Sequence, residues 1–336
     1  MSPLPSVSVA IPVYNEAQVL PHLLSRLRAV LDAIPGGPHQ VVFVDDGSSD
    51  ATVEVLEAEA RRDHRILVVA LSRNFGHQTA LTAALDHVTG DVTVVMDADL
   101  QDPPEALPSF LDQYEQGFDV VYARRVERKE GLLLRLSYFL FYRLIAKLSA
   151  LDLPLDAGDF GLMSRRVVEE LRRTPEHHRY LRGLRRWVGF RQTGVVVERS
   201  ARAAGTSKYG PAKLLKLAFD GIFAFSIAPL RAAALAGALA VALSALFAVY
   251  SLYAKFVLDQ STRGFTALVL IITFLSGLQL LFLGVIGEYL GRVYEEVKGR
   301  PLYVIDRVIG RRRVRTHDQG ADDEAAGAAL APPPPA

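Results

Sequence analysis

The sequence predicts an α/β protein built on a mostly parallel sheet, followed by a pair of membrane-spanning helices. Three observations predict it. Short apolar, β-branched runs alternate with helical stripes through roughly the first 200 of 336 residues. Polar clusters fall at the ends of those runs, and two long segments near the C-terminus carry no charge.

Val7–Val13, Val41–Val44, Ile66–Leu71 and Val92–Met96 are apolar at most positions, as strands covered on both faces are. After the first of them, Leu20, Leu23, Leu24, Leu27 and Leu31 mark one face of a helix, and Pro21 suits its first turn. Ala51–Arg61 and Gln78–His87 supply two further helices. This alternation implies right-handed crossovers and helices on both faces of the sheet. Ligands in such sheets bind beyond the carboxyl ends of the strands. Tyr14–Glu16, Asp45–Asp50 and Asp97–Asp102 fall there.

Ala232–Ala254 and Phe265–Gly287 are each 23 residues long without a charge. A bilayer core takes about 20 helical residues, and a charge at its centre costs about 3 kcal/mol, so both segments read as spans rather than as core helices. The short Lys255–Gly264 linker makes them a hairpin. Between Arg292 and Arg315 there are eight Lys/Arg against three Asp/Glu, whereas the linker has only Lys255 and Arg263 as basic residues. That bias predicts a multi-pass protein of the inner (plasma) membrane with the first domain and both termini cytoplasmic. Leu214, Leu215, Ala218, Ile222 and Phe225 share a face of a helix expected to lie on the membrane surface; a soluble amphipathic helix would share the pattern. The divisions expected are therefore 1–212 catalytic, 213–228 juxtamembrane, 229–290 spanning, 291–315 basic tail and 316–336 without order.

Composition excludes several classes. With 38 Lys+Arg against 37 Asp+Glu, overall charge gives no case for nucleic acid. The absence of cysteine removes disulfides, thiolate zinc sites and cysteine nucleophiles. Met1–Ser6 lacks the basic start and long apolar core of a secretory signal.

The chemistry concentrates at Asp97-Ala98-Asp99. In extended chain both carboxylates face one spot, and two like charges held together call for a cation or a shared proton. Oxygen ligands favour Mg2+ or Mn2+ over zinc, and Gln101 offers a third oxygen. A cation there would stabilise a departing diphosphate. Asp46, after the second strand, can accept hydrogen bonds from a base or ribose, whereas Asp50 reads as a helix cap. Arg182, Arg185, Arg186 and Trp187 form a basic-aromatic group that reads first as a solvated helix face, with a role at acceptor entry as the alternative. His77, His177 and His178 read as surface or packing residues.

VAIPVYNE, VDDGSSD, SRNFGHQTALTAALD, MDADLQDPPE, DAGDFGLMSRR and RAAGTSKY, in that order, resemble glycosyltransferase family 2. The likeness is strongest to polyprenyl-phosphate hexosyltransferases of the dolichyl-phosphate mannosyltransferase and bactoprenol glucosyltransferase type, and it runs from about Val7 to about Gly291. It implies a Rossmann-like GT-A fold, a divalent cation, a nucleotide-sugar donor and a polyprenyl (undecaprenyl) phosphate acceptor. By the same resemblance Pro12, Tyr14, Glu16, Val44 and Asp46 hold the nucleotide. Asp97 and Ala98 meet the donor, while Asp97, Asp99 and Gln101 ligate the metal. Arg125, or Arg124 in a shifted alignment, sits near the sugar or phosphates, and Arg202 and Lys208 clamp a phosphate. Relatives assemble through their membrane helices, which implies a homo-oligomer, a tetramer. Two departures stand out: Ala123 replaces a common Gly, and Gly161 replaces a larger residue, often Arg.

A lipid phosphate is already anionic, so it needs cations around it more than a base. Asp159 is then an orienting group or an optional base, and Asp99, Asp159 and Arg125 are the expected catalytic residues. UDP-glucose is the expected donor, with inversion at the anomeric carbon; GDP-mannose, a UDP-N-acetylhexosamine and a modified pentose stay open. A processive polysaccharide synthase and a non-catalytic sugar-nucleotide sensor are the competing classes. The first wants more spans and a Gln-x-x-Arg-Trp motif that Gly183-Leu184-Arg185-Arg186-Trp187 does not match.

Overall fold

A computed structural model describes residues 4–125, 157–174, 176–177, 179–197, 228–257 and 264–310. The expected juxtamembrane helix, Arg202 and Lys208 lie outside the described residues. One eight-stranded sheet organises the chain, in the order β7-β5-β6-β4-β1-β2-β3-β8. Its strands are β1 (Val7–Val13), β2 (Gln40–Asp45), β3 (Ile66–Leu71), β4 (Val92–Val95), β5 (Val120–Arg125), β6 (Ala157–Ser164), β7 (Gln192–Val197) and β8 (Ile305–Ile309). β6 and β8 pair antiparallel to their neighbours, and the other strands run parallel to one another.

The helices are α1 (Leu20–Ala33), α2 (Thr52–Arg62), α3 (His77–His87), α4 (Leu107–Glu115), α5 (Arg165–Arg173), α6 (Leu181–Trp187), α7 (Ala228–Phe256) and α8 (Phe265–Val297). Strand alternation divides the core between the two sheet faces. Val7, Val9, Ile11 and Val13 pack with Leu20, Leu23, Leu24, Leu27 and Phe110 under α1 and α4. Ala10, Val42, Val44, Leu67 and Val69 pack with α3, α5 and α6. Both faces are covered, which is why the strands read as continuous apolar runs.

β1 lies between β2 and β4. The chain steps from β1 to β2 and β3 on one side, then crosses back to place β4 on the other. The crevice for a ligand in such a sheet opens at this reversal, beyond the carboxyl ends of β1 and β4.

The C-terminal segment differs from the free basic tail expected. After α8, Ile305–Ile309 returns to the sheet and pairs with β3, and Ser72 N donates to Val304 O at 2.9 Å. Tyr303 Oη donates to Asp86 at 2.8 Å. The end of α8 is also tied down: His177 N and Nδ1 reach Glu296 at 2.7 and 3.1 Å, and Nε2 reaches Arg300 O at 2.6 Å. His177 is therefore a junction residue rather than simple surface. α7 and α8 contain two segments, Leu230–Tyr253 and Phe274–Val297, long and apolar enough to cross a membrane, and neither is buried against protein.

Candidate active site

Every candidate among the described residues gathers at one edge of the sheet. Pro12 and Val44 are partners in the β1–β2 register, and both are buried beneath the edge. Above them Tyr14 is exposed and Glu16 half-buried. The loop they occupy is fastened to the loop after β2. Asn15, at φ 55°, donates its N–H to Ser48 Oγ at 2.9 Å; Glu16 N donates to Thr52 Oγ1 at 2.9 Å. Asp50 accepts from Thr52 N at 3.0 Å and Ala17 N at 3.2 Å, so it anchors the start of α2 as expected and also the β1 loop.

Asp45 and Asp46 divide the work at the end of β2. Asp45 Oδ2 accepts the N–H groups of Gly47 and Ser48, both at 3.1 Å, while its Oδ1 is buried with no hydrogen-bond partner. Asp46, expected to meet the base or ribose, turns its carboxylate toward the chain itself. Phe75 N donates to Oδ1 at 2.7 Å, and Gly76 N to Oδ2 at 3.0 Å. Burial raises the Asp46 pKa, against the opposing pull of those two amides and of His77. Gly47 has φ +71°, and a Cβ there would lie 2.6 Å from the Arg73 carbonyl carbon; only glycine lets the β2 loop press so closely on the segment leading into α3.

β4 ends at Val95, so Asp97-Ala98-Asp99 lies in a turn and not in extended chain. The expected extended geometry is corrected; within the turn Ala98 is buried, and the flanking carboxylates are half-exposed. Leu100, at φ 59°, closes the turn, and Gln101 N donates to Asp99 Oδ1 at 3.1 Å. No cluster of three or more His, Cys, Asp or Glu suited to a metal occurs among the described residues. Two carboxylates and an amide oxygen still suit Mg2+ or Mn2+, which take one or two protein carboxylates and complete their shell with phosphate and water.

β6 brings the second half of the site. Gly161 pairs with Val95 in the antiparallel register, so Asp159, two residues earlier on β6, lies at the same edge of the sheet as the turn after β4. Asp159 forms a two-pronged ion pair with Arg182: Nε to Oδ1 at 2.7 Å and Nη2 to Oδ2 at 2.9 Å. Burial pushes the Asp159 pKa up, but the charge and hydrogen bonds of Arg182, with help from His77 and Arg185, outweigh it and hold the carboxyl below its usual range. Arg185 is 3% exposed, gives Nη2 to Gly158 O at 3.1 Å and faces the Tyr122 ring at 5.8 Å. Burial lowers its pKa to about 10, against the pull of Asp159.

These contacts correct the solvated-face reading of α6. Arg182 and Arg185 point into the site, while Trp187 on the same helix is 61% exposed. His77 is the other residue the sequence did not reveal. Its Nε2 lies 3.6 Å from Asp97 Oδ1, and it acts electrostatically on Asp46 and Asp159 as well. Its place at the first turn of α3, on the β3–α3 connection at the ligand-binding edge, is the available signal. Arg124 is exposed, and Arg125 ends β5 at the same edge of the sheet.

Residues 8–172 match the family described as glycosyl transferase family 2. The chain is 42% identical over 311 residues to YkcC, an uncharacterised glycosyltransferase of Bacillus subtilis, covering 92% of this chain and 96% of that one. It is 38% identical over 302 residues to the SfII prophage-derived bactoprenol glucosyl transferase of Shigella flexneri, covering 90% and 97%. Among solved structures, the mannosyltransferase PcManGT of Pyrobaculum calidifontis, in complex with GDP-Man and Mn2+, aligns with a TM-score of 0.44 at 20% identity, over 86% of this chain and 88% of that one. At that distance neither its sugar nor its metal is carried over. Identity sustained at these levels over nine-tenths of the chain shows that it belongs to glycosyltransferase family 2.

Proposed function

We propose that the chain transfers a hexose, glucose from UDP-glucose, to polyprenyl (undecaprenyl) phosphate with inversion, yielding a lipid-linked sugar for cell-envelope glycans. The observation that carries this is the extent of the match to the bactoprenol glucosyl transferase. It takes in the carboxylate edge and both apolar helices together, over 97% of that relative.

The chemistry follows from charge. An acceptor phosphate oxygen forms the new bond to the anomeric carbon as the bond from that carbon to the donor diphosphate breaks. The electron pair leaves on the nucleoside diphosphate, and no proton need be removed from the nucleophile. Asp97, Asp99 and Gln101 would hold a divalent cation, which neutralises charge on the leaving diphosphate. Tyr14 and Glu16 line the donor side of the crevice, with Pro12 and Val44 as its floor. Arg125, Arg202 and Lys208 supply positive charge to the phosphates, and Asp99 and Arg125 act at the reacting centre.

In this proposal residues 1–212 form the catalytic domain, 213–228 lie at the membrane surface and 229–290 span the inner membrane as a hairpin, along which copies of the chain associate. Pairing of β8, after α8, with β3, before α7, supports both ends of the hairpin lying on one side. The cytoplasmic side, where nucleotide sugars are made, fits the basic residues near α8.

The test is to incubate purified enzyme, Mn2+ and undecaprenyl phosphate with a panel of labelled nucleotide sugars and identify the glycolipid. A β-linked glucosyl lipid is expected. An α-linked product refutes inversion, and no turnover with any lipid phosphate refutes the acceptor.

A further inference from the structure

Arg182 belongs to none of the motifs that carry the family resemblance, yet it occupies the centre of the site. Its guanidinium is gripped on one edge by both oxygens of Asp159. The remaining Nη1 has no hydrogen-bond partner among the described residues, and 34% of the side chain is exposed. Asp159, at 11%, is the deeper member of the pair. An ion pair built for stability alone gains from closing on both sides. This one is closed behind and open in front.

The pair stands at the sheet edge that carries the carboxylate turn: β6 runs antiparallel to β4 and brings Asp159, with Arg182 on it, to the end of β4 that leads into Asp97, and the charge of Asp97 acts on Arg182. Arg185 cannot serve in its place, being buried and engaged with Gly158 O and the Tyr122 ring. It instead adds a second positive charge behind Asp159, so the cluster of Arg182, Arg185 and Asp159 keeps a net positive charge to offer an incoming anion. A guanidinium with one edge fixed and the other open is preorganised for a phosphate oxygen.

We propose that Arg182 is a phosphate-binding residue of the transfer site and that Asp159 is its positioning residue, not a base. This rests on the phosphate-to-phosphate transfer proposed above. The phosphate is either the acceptor's or the donor's, and the two are separable by experiment.

The full-length enzyme is compared with Arg182→Gln, Arg182→Lys, Asp159→Asn and the double variant Asp159→Asn/Arg182→Gln, which removes the charge of both members of the pair. Three quantities are read: KM for undecaprenyl phosphate, KM for UDP-glucose, and direct binding of UDP with Mn2+. Arg182→Gln and the double variant should weaken one phosphate ligand at least tenfold, with Arg182→Lys restoring part of it. A rise confined to the lipid KM assigns the acceptor phosphate; weakened UDP binding assigns the donor diphosphate. Asp159→Asn should move the same parameter as Arg182→Gln. A fall in kcat alone, relieved as pH rises, would make Asp159 a base and overturn its assignment. Unchanged KM values and UDP binding in the double variant, with its melting temperature kept, overturn the role of Arg182. Should the wild type make no lipid product at all, the acceptor proposal fails separately, and UDP binding still decides for or against Arg182.

Discussion

Gly161→Ala probes how tightly the two halves of the site are built against each other. Gly161 lies in β6 between β4 and β5, paired with Val95 on one side and Tyr122 on the other. A Cβ placed there would stand 2.5 Å from Val121 O and 3.0 Å from Tyr122 Cα. Both are backbone atoms of a paired strand, so no rotamer change relieves the contact. Recovering ordinary separation moves β5 by nearly 1 Å. Overpacking of this kind costs about 1–3 kcal/mol, offset by about 0.5–1 kcal/mol because alanine is less free than glycine in the unfolded chain. The net loss of about 1–2 kcal/mol corresponds to a fall in Tm of about 2–8 °C. The functional effect should be larger, because β5 ends in Arg124 and Arg125 while Asp159 stands two residues before the substituted position. A misplacement of about 1 Å across reacting groups can cost about 100-fold. Thermal melts and turnover on the purified protein measure both, with Gly284→Ala as control, since a Cβ there meets nothing within 4 Å. A Gly161→Ala protein with wild-type Tm and turnover would refute the claim that close strand approach sets this geometry.

Three further outcomes are expected. Asp99→Ala should lower turnover at least about 100-fold while leaving the melting temperature within a few degrees, because the side chain is half-exposed and its hydrogen bond to Gln101 is local; unchanged turnover removes the metal assignment. Burial raises the Asp63 pKa, but hydrogen bonds from Arg65 and Arg28 prevail and hold it at about 2. The stability it adds is therefore present above its unfolded value near 4 and lost as pH falls toward 2, about 1 kcal/mol once solvent screening of this part-exposed pair is included. Urea melts of Asp63→Asn and wild type should converge as pH drops from 5 to 3. His177 is raised, chiefly by Arg300 O and also by Glu296, with burial opposing. Both ring nitrogens face oxygen acceptors, so the junction holds the imidazolium; its contribution is complete below about 6.5 and lost as pH rises through the raised value. Hydrogen-exchange protection across 298–310, taken relative to intrinsic exchange at each pH, should fall between pH 6 and 9 in wild type but not in His177→Gln.

What the sequence disclosed follows from where its physics is local. Val7–Val13 and Ile66–Leu71 appear in the structure with the bounds their apolar runs suggest, because a strand covered on both faces must be apolar throughout. β6 gave no such signal: Phe160, Leu162 and Met163 are buried, but Gly158, Asp159 and Gly161 interrupt the run, since close backbone approach and an ion pair take the place of apolar side chains at Gly161 and Asp159. β8 was hidden because its outer, half-covered position tolerates Asp306 and Arg307, which read as part of a basic run. The carboxylates after β1, β2 and β4 were legible from topology alone. Their partners were not. Nothing local to Arg182 reveals an aspartate 23 residues earlier on another element, and Asp46 is claimed by amides that only the folded β3–α3 turn presents.

The junction after α8 bears on how such a site could work on a lipid. At 1.5 Å per residue the 33 residues of α8 extend about 50 Å, against a bilayer core of about 30 Å. Its last turns, with Arg292, Glu295 and Glu296, lie past the residues proposed to span the membrane. The chain then turns at Gly299, φ 58°, and returns to β3. The return is gripped at Val304 by the N–H of Ser72. Ser72 opens the same short segment whose Phe75 and Gly76 amides hold Asp46 and which delivers His77 to Asp97. Strand pairing, these amide hydrogen bonds and the His77–Asp97 contact at 3.6 Å thus link the segment after α8 with the loop that borders the carboxylate turn. A lipid phosphate cannot leave the headgroup layer without exposing its chain to water, so the enzyme must hold its own reacting edge at a fixed height. In the proposed reaction the β8 return to β3 would supply that constraint.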